Sequence, residues 1–146
     1  MEAQYSSRDL IIEICNRLFY HTDQRDWNAL KAEVFSDVVY FDMTSLGAEE
    51  AVMMAAQNIC ELWEEGFLGL DAIHHQSGNH LVDIENDHAK VRAYAIATHY
   101  KESAKEGKTR TFVGSYDLGL KHTDHGWRIH SFKYNLKYVD GNVDFT

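Results

Sequence analysis

A change of periodicity near Gly66 limits what this chain can fold into more than any other feature. Before it, apolar residues recur at helical spacing; after it, long stretches alternate between two faces. Leu10, Ile11, Ile14, Cys15, Leu18 and Phe19 form one stripe on a first helix, which Ser6 or Ser7 can cap. Asp26 reads as the N-cap of a short second helix from Trp27 to about Phe35, with Trp27, Leu30 and Val34 on one face. Val38 to Asp42 is rich in β-formers and reads as a strand. A third helix is expected from about Ala48 to Glu65, ended by Gly66.

Beyond that point Ile73–Glu85, Ala89–Lys101, Thr109–His122 and Trp127–Val139 read as long strands joined by short polar turns. The parity of the first breaks at Gly78-Asn79, which predicts a bulge. On the second, Ala89, Val91, Ala93, Ala95, Ala97 and His99 share one face, small enough to leave room for packed helices or a ligand. Helices first and antiparallel hairpins afterwards give an α+β fold. The expectation is a single domain over residues 1–146, with 140–146 as a tail. Its N-terminal helices would pack on a strongly curved antiparallel sheet, forming a cone with a central pocket.

The formal charge of −9 disfavours nucleic acid and anionic membrane surfaces as partners, because both call for clustered Lys and Arg. Cys15 and Cys60 sit among apolar residues, too few for a disulfide framework or a zinc site. Met1-Glu2-Ala3-Gln4 shows no basic region with an apolar run behind it, and no stretch is apolar for long enough to span a bilayer. A reducing, cytoplasmic setting follows as the expectation.

The chemistry concentrates in Ala72-Ile73-His74-His75-Gln76-Ser77-Gly78-Asn79-His80. Histidine exchanges protons near neutral pH, and one on a pocket-facing strand is a natural general base. Neighbours on a strand point to opposite faces, so His74 and His75 cannot both ligate one ion. No metal and no cofactor are expected. Asp23 ends the first helix, where an acid opposes the helix dipole and so calls for a reason. A carboxylate held beside an imidazole would fix its tautomer. His99 shares the alanine face, and Tyr20, Tyr40 and Tyr116 each offer a phenol that could polarise a carbonyl or hold a water.

Several segments, taken in order, resemble the SnoaL-like branch of the nuclear-transport-factor-2-like (cystatin-like cone) superfamily, near scytalone dehydratase and bile-acid dehydratases. They are Asp23-Gln24-Arg25-Asp26-Trp27-Asn28-Ala29-Leu30, Val39-Tyr40-Phe41-Asp42, His74-His75 followed by Gly78-Asn79, and Ala89-Lys90-Val91-Arg92. Val113-Gly114-Ser115-Tyr116 and Gly126-Trp127-Arg128-Ile129 complete the set. The resemblance implies Asp23 as the pocket acid, His75 as the proton-transfer group and Asn135 on the pocket floor. The fungal enzyme's second pocket histidine has no counterpart in Gly114-Ser115-Tyr116-Asp117; Tyr116 or His99 would take its place.

On this reading the chain is a small-molecule dehydratase-like lyase or isomerase, acting by histidine acid–base chemistry on a ring-containing, largely apolar substrate. The alternative is a non-catalytic ligand-binding or assembly module resembling the small subunit of aromatic-ring dioxygenases, and the sequence leaves enzyme and module both open. A homo-oligomer, dimer or trimer, is expected, with Tyr94, Ile96 and Tyr100 available as an apolar patch on the outer sheet face.

Overall fold

The computed structural model describes residues 4–146; Met1 to Ala3, on which the expectation about a leader partly rests, lie outside the described residues. Helix α1 spans Ser7–Asp23. Ser6 caps it reciprocally: its hydroxyl accepts from the Asp9 N–H at 3.1 Å and the Asp9 carboxylate accepts from the Ser6 N–H at 3.1 Å. Its inward stripe is Ile11, Ile14, Cys15, Leu18, Phe19 and Thr22. Asp26 caps α2 (Trp27–Ala29) through the Ala29 N–H at 3.1 Å, and α2 runs into a π-helical turn, Leu30–Val34. Between the two helices Arg25 adopts φ +57°, a left-handed conformation that turns the chain sharply. Its guanidinium donates to the Leu70 carbonyl at 2.6 Å, tying this joint to the residues that precede β3.

Strand β1 (Phe35–Asp42) follows, then a 3₁₀ turn (Thr44–Leu46), β2 (Val52–Ala55) and α3 (Ala56–Gly66). Four long strands complete the sheet: β3 (Ala72–Glu85), β4 (His88–Tyr100), β5 (Thr109–Thr123) and β6 (Gly126–Gly141). The strand order is β2-β1-β6-β5-β4-β3. The expected bulge lies between Gly78 and Leu81, with Asn79 at φ +57°, and register shifts also interrupt the β5–β6 ladder. Such irregularities bend a sheet and let it wrap around the helices. Ile11, Leu18, Leu30, Ile59, Leu120 and Ile129 are fully buried between helices and sheet. Each contributes on the order of 1.5–3 kcal/mol of transfer free energy.

The α+β class stands, with three differences from the sequence reading. The sheet is mixed, because β1 pairs in parallel with β6, where Phe41 faces Phe132 in register and stacks on it at 5.3 Å. The third helix begins at Ala56, not Ala48: Val52 to Ala55 pair antiparallel with β1 and satisfy the N–H and C=O groups of its free edge. Residues 140–146 are not a loose tail. Strand β6 reaches Gly141, and Phe145 is buried against Leu70, Ile73 and Ala104, while the Thr146 carbonyl accepts from Lys105 and Glu106. Among the described residues no helix is long and apolar enough to cross a membrane.

Candidate active site

The inner face of the sheet and the ends of α1 and α3 enclose a cavity of about 160 Å³. That is room for one six-membered ring. Its walls are aromatic: Phe19 from α1, Trp63 from α3, Phe67 just beyond it, Phe112 and Tyr116 from β5, Phe132 and Tyr134 from β6. Strand alternation brings in two histidines. His75 on β3 lies opposite Ala97 on β4, and His99 lies opposite Ile73, so the two are diagonal neighbours on one face. Ala97, opposite His75, also lines the cavity with a small side chain.

Asp23 meets His75 at the rim of α1. Its Oδ1 accepts from the ring Nδ1–H at 2.6 Å and its Oδ2 from the His75 backbone N–H at 2.8 Å. The side chains are 12% and 9% exposed, so the pair is largely shielded from water. A carboxylate can only accept, which assigns a proton to Nδ1; in the neutral ring the Nε2 lone pair is then free. Phe19 stacks on the imidazole at 5.2 Å and 23°, holding its plane. The acid at a helix C-terminus thus has its reason: two N–H donors offset the unfavourable dipole.

His99 has the opposite partner. Arg110, its cross-strand neighbour on β5, donates Nε–H to His99 Nδ1 at 3.0 Å. Burial first, then Arg110 and His75, push the His99 pKa down to about 4, with Asp23 acting the other way. The ring is therefore neutral at physiological pH. Burial also holds the Tyr116 phenol far above the ordinary tyrosine range, with Tyr134 and Asp23 adding to it, and burial raises Tyr134 as well. Both phenols are neutral donors. The Tyr134 hydroxyl is buried at the cavity wall and has no protein hydrogen-bond partner among the described residues.

Of the residues expected in the pocket, His75, His99 and Tyr116 line it, and Asp23 stands behind His75. Three expectations are corrected. Tyr20 is 67% exposed, because the helical period turns Leu18, Phe19 and Thr22 inward and Tyr20 out. Tyr40 is 44% exposed, because alternation on β1 buries Val39 and Phe41 instead. Asn135 has the outward parity on β6; it donates to Asp117 Oδ2 at 2.9 Å and to Ser115 Oγ, while Phe132 and Tyr134 face the core. The sequence reading missed Phe19, Phe67, Phe112, Tyr134 and Arg110 as site residues. Phe19 was recoverable from its helical spacing to Thr22, and Tyr134 from its strand parity with Phe132; the role of Arg110 needed the β4–β5 register. Among the described residues no group of three or more His, Cys, Asp or Glu is placed to hold a metal ion.

The SnoaL-like domain profile matches residues 3–133. No functionally curated protein matches the sequence. The fold is similar to that of the Kfla4162 protein from Kribbella flavida, with TM-score 0.90, 26% identity and 95% of each chain covered. A Novosphingobium aromaticivorans protein provisionally designated a scytalone dehydratase gives TM-score 0.75 at 17% identity, over 91% of this chain and 85% of that one. The hexachlorocyclohexane dehydrochlorinase LinA-type3 of Novosphingobium barchaimii gives TM-score 0.77 at 12% identity, over 94% and 90%. With a profile match over most of its length, and helices packed on an open mixed sheet, the chain belongs to the SnoaL-like domain family.

Proposed function

We propose that this protein is a lyase or isomerase that acts without a cofactor on a small, largely apolar, single-ring substrate, with elimination of water as the preferred reaction. The observation that carries the reading is the Asp23–His75 pair at the wall of an aromatic cavity. His75 Nε2 takes a proton from a carbon α to a ring carbonyl, and Asp23 stabilises the imidazolium that forms. Neutral donors at the wall, His99 and Tyr116, stabilise the developing enolate oxygen. The β-hydroxyl then leaves with the proton returned by His75, so water departs and a C=C bond remains. In an isomerase the same proton returns to another carbon.

Elimination is also the chemistry named for the scytalone dehydratase and dehydrochlorinase of similar fold. A buried ionisable pair beside open cavity space favours an enzyme over a purely structural module, for which an apolar filling would suffice. The exposed outer-face residues Tyr94 and Ile96 offer a surface for a second copy of the chain, so a homo-oligomer belongs to the same proposal. The test is turnover of a panel of monocyclic β-hydroxyketones by the wild type and His75→Ala. Loss of at least about 100-fold in kcat is expected for removal of a general base. Full activity in the variant would sink the assignment.

A further inference from the structure

The two cavity histidines are held by chemically opposite partners. Asp23 offers only acceptors to His75, and Arg110 offers only donors to His99. We infer that Arg110 is a positioning residue that locks His99 as its Nε2–H tautomer, making this ring a fixed hydrogen-bond donor for a carbonyl oxygen on the substrate. This inference rests on the proposed function only in taking the ligand of the cavity to be a substrate.

The geometry requires the tautomer. A guanidinium cannot accept a proton or a hydrogen bond, so His99 Nδ1 must present its lone pair to Arg110 Nε–H. The single proton of the neutral ring then sits on Nε2, the edge of the imidazole away from Arg110. Adding a second proton would set N–H against N–H. Two aromatic rings pack against His99, Phe67 at 5.6 Å and Phe112 at 5.3 Å between centroids.

Arg110 is itself fixed by the end of the chain. Its Nη1 donates to the Val143 carbonyl at 2.9 Å, and its guanidinium lies 4.5 Å from the centroid of the Phe145 ring. Phe145 in turn is seated against Leu70, Ile73 and Ala104. The C-terminal turn therefore supports a donor inside the cavity, two residues removed from it in the chain of contacts. The consequence for the ligand is specific: one polar acceptor near His99, an acidic C–H near His75, and a ring body between aromatic walls. A cyclic ketone with an α C–H meets all three.

The test is a long-range ¹⁵N–¹H NMR correlation on the full chain labelled at histidine nitrogens, at neutral pH, with His99 assigned by loss of its signals in His99→Asn. The expected spectrum shows His99 unprotonated at Nδ1 and protonated at Nε2, and His75 the reverse. Saturating cyclohexanone should shift the His99 Nε2 signal, whereas methylenecyclohexane, of the same shape without the acceptor, should leave it in place. Arg110→Met should give His99 a mixture of tautomers. A wild-type His99 protonated at Nδ1, or at both nitrogens, overturns the inference whether or not any variant folds. So does the absence of a cyclohexanone shift at His99. His75→Ala separates the two claims: it removes the proposed base but leaves the His99 tautomer and its ketone response intact.

Discussion

Replacing Asp23 with Asn changes almost no volume yet removes the group that polarises the site. The carboxylate receives two N–H donors, the His75 ring at 2.6 Å and the His75 backbone at 2.8 Å. The two donors reach different carboxylate oxygens, and an Asn side chain places an oxygen at only one of those positions and an NH₂ at the other. The backbone N–H is fixed within β3 and keeps the oxygen. The amide NH₂ then faces Nδ1, which must become the acceptor, and the imidazole proton moves to Nε2. His75 thereby loses its lone pair on the cavity side, and the base becomes a donor. In a serine-protease triad the same exchange, which leaves geometry intact but selects the wrong tautomer, costs about 10⁴ in kcat. A general base contributes about 10²–10⁴, so we expect Asp23→Asn to lose about 10³-fold in kcat. Asp23 does not line the cavity, so KM should change by less than about threefold, the effect lying in the transition state. The assay is steady-state dehydration of monocyclic β-hydroxyketones alongside circular dichroism. A folded variant with wild-type kcat would refute the role of Asp23 as the residue that sets the His75 tautomer. A variant with unchanged kcat and a large rise in KM would refute it equally, because it would place Asp23 in substrate binding.

Three further outcomes follow from the same geometry. His99 has a folded pKa of about 4 against an ordinary 6.5, so the unfolded chain binds the extra proton first as pH falls. Stability from this group is fully present above about 6.5 and is lost by about 4, a difference of about 3 kcal/mol that urea titrations across this range should show and His99→Gln should flatten. Gly114→Ala would set a Cβ 2.3 Å from the Asn135 carbonyl and 2.6 Å from the Tyr134 hydroxyl. Overpacking of this kind costs about 1–3 kcal/mol, read as a lower Tm, and should displace Tyr134 from the cavity wall. Phe145→Ala removes a buried ring from the small cluster with Leu70 and Ile73, and we expect about 3–5 kcal/mol of destabilisation by urea denaturation.

Much of the fold was legible because its signals are local. The stripe on α1, the Asp26 cap, the Gly78-Asn79 bulge and the two faces of β4 each depend on residues a few positions apart. The misplaced start of α3 shows the limit. Val52 and Met53 suit a helix as well as a strand, and the decision falls to the unpaired edge of β1, which lies elsewhere in the chain. The parallel pairing of β1 with β6 is likewise a contact between segments far apart in the sequence that no local pattern encodes. Phe145 looked like part of a tail because nothing beside it in sequence is apolar except Val143, whereas its partners are Leu70, Ile73 and Ala104.

The site divides along the same line. His75 and Asp23 could be named because each carries a local oddity: a histidine inside a strand pattern, and an acid at the wrong end of a helix dipole. Tyr20, Tyr40 and Asn135 were chosen by residue type or by resemblance; the helical period turns the first away from the cavity and strand parity the other two. What a single chain of letters does not carry is the difference between the two histidines. Both are cavity-facing imidazoles on neighbouring strands. Their chemistry diverges only because α1 delivers a carboxylate to one and the β4–β5 register delivers a guanidinium to the other. Shifting β5 by one residue would turn Arg110 to the opposite face and leave His99 free to take either tautomer. In this fold the direction in which a proton can move across the cavity is thus a property of strand register as much as of the residues that exchange it.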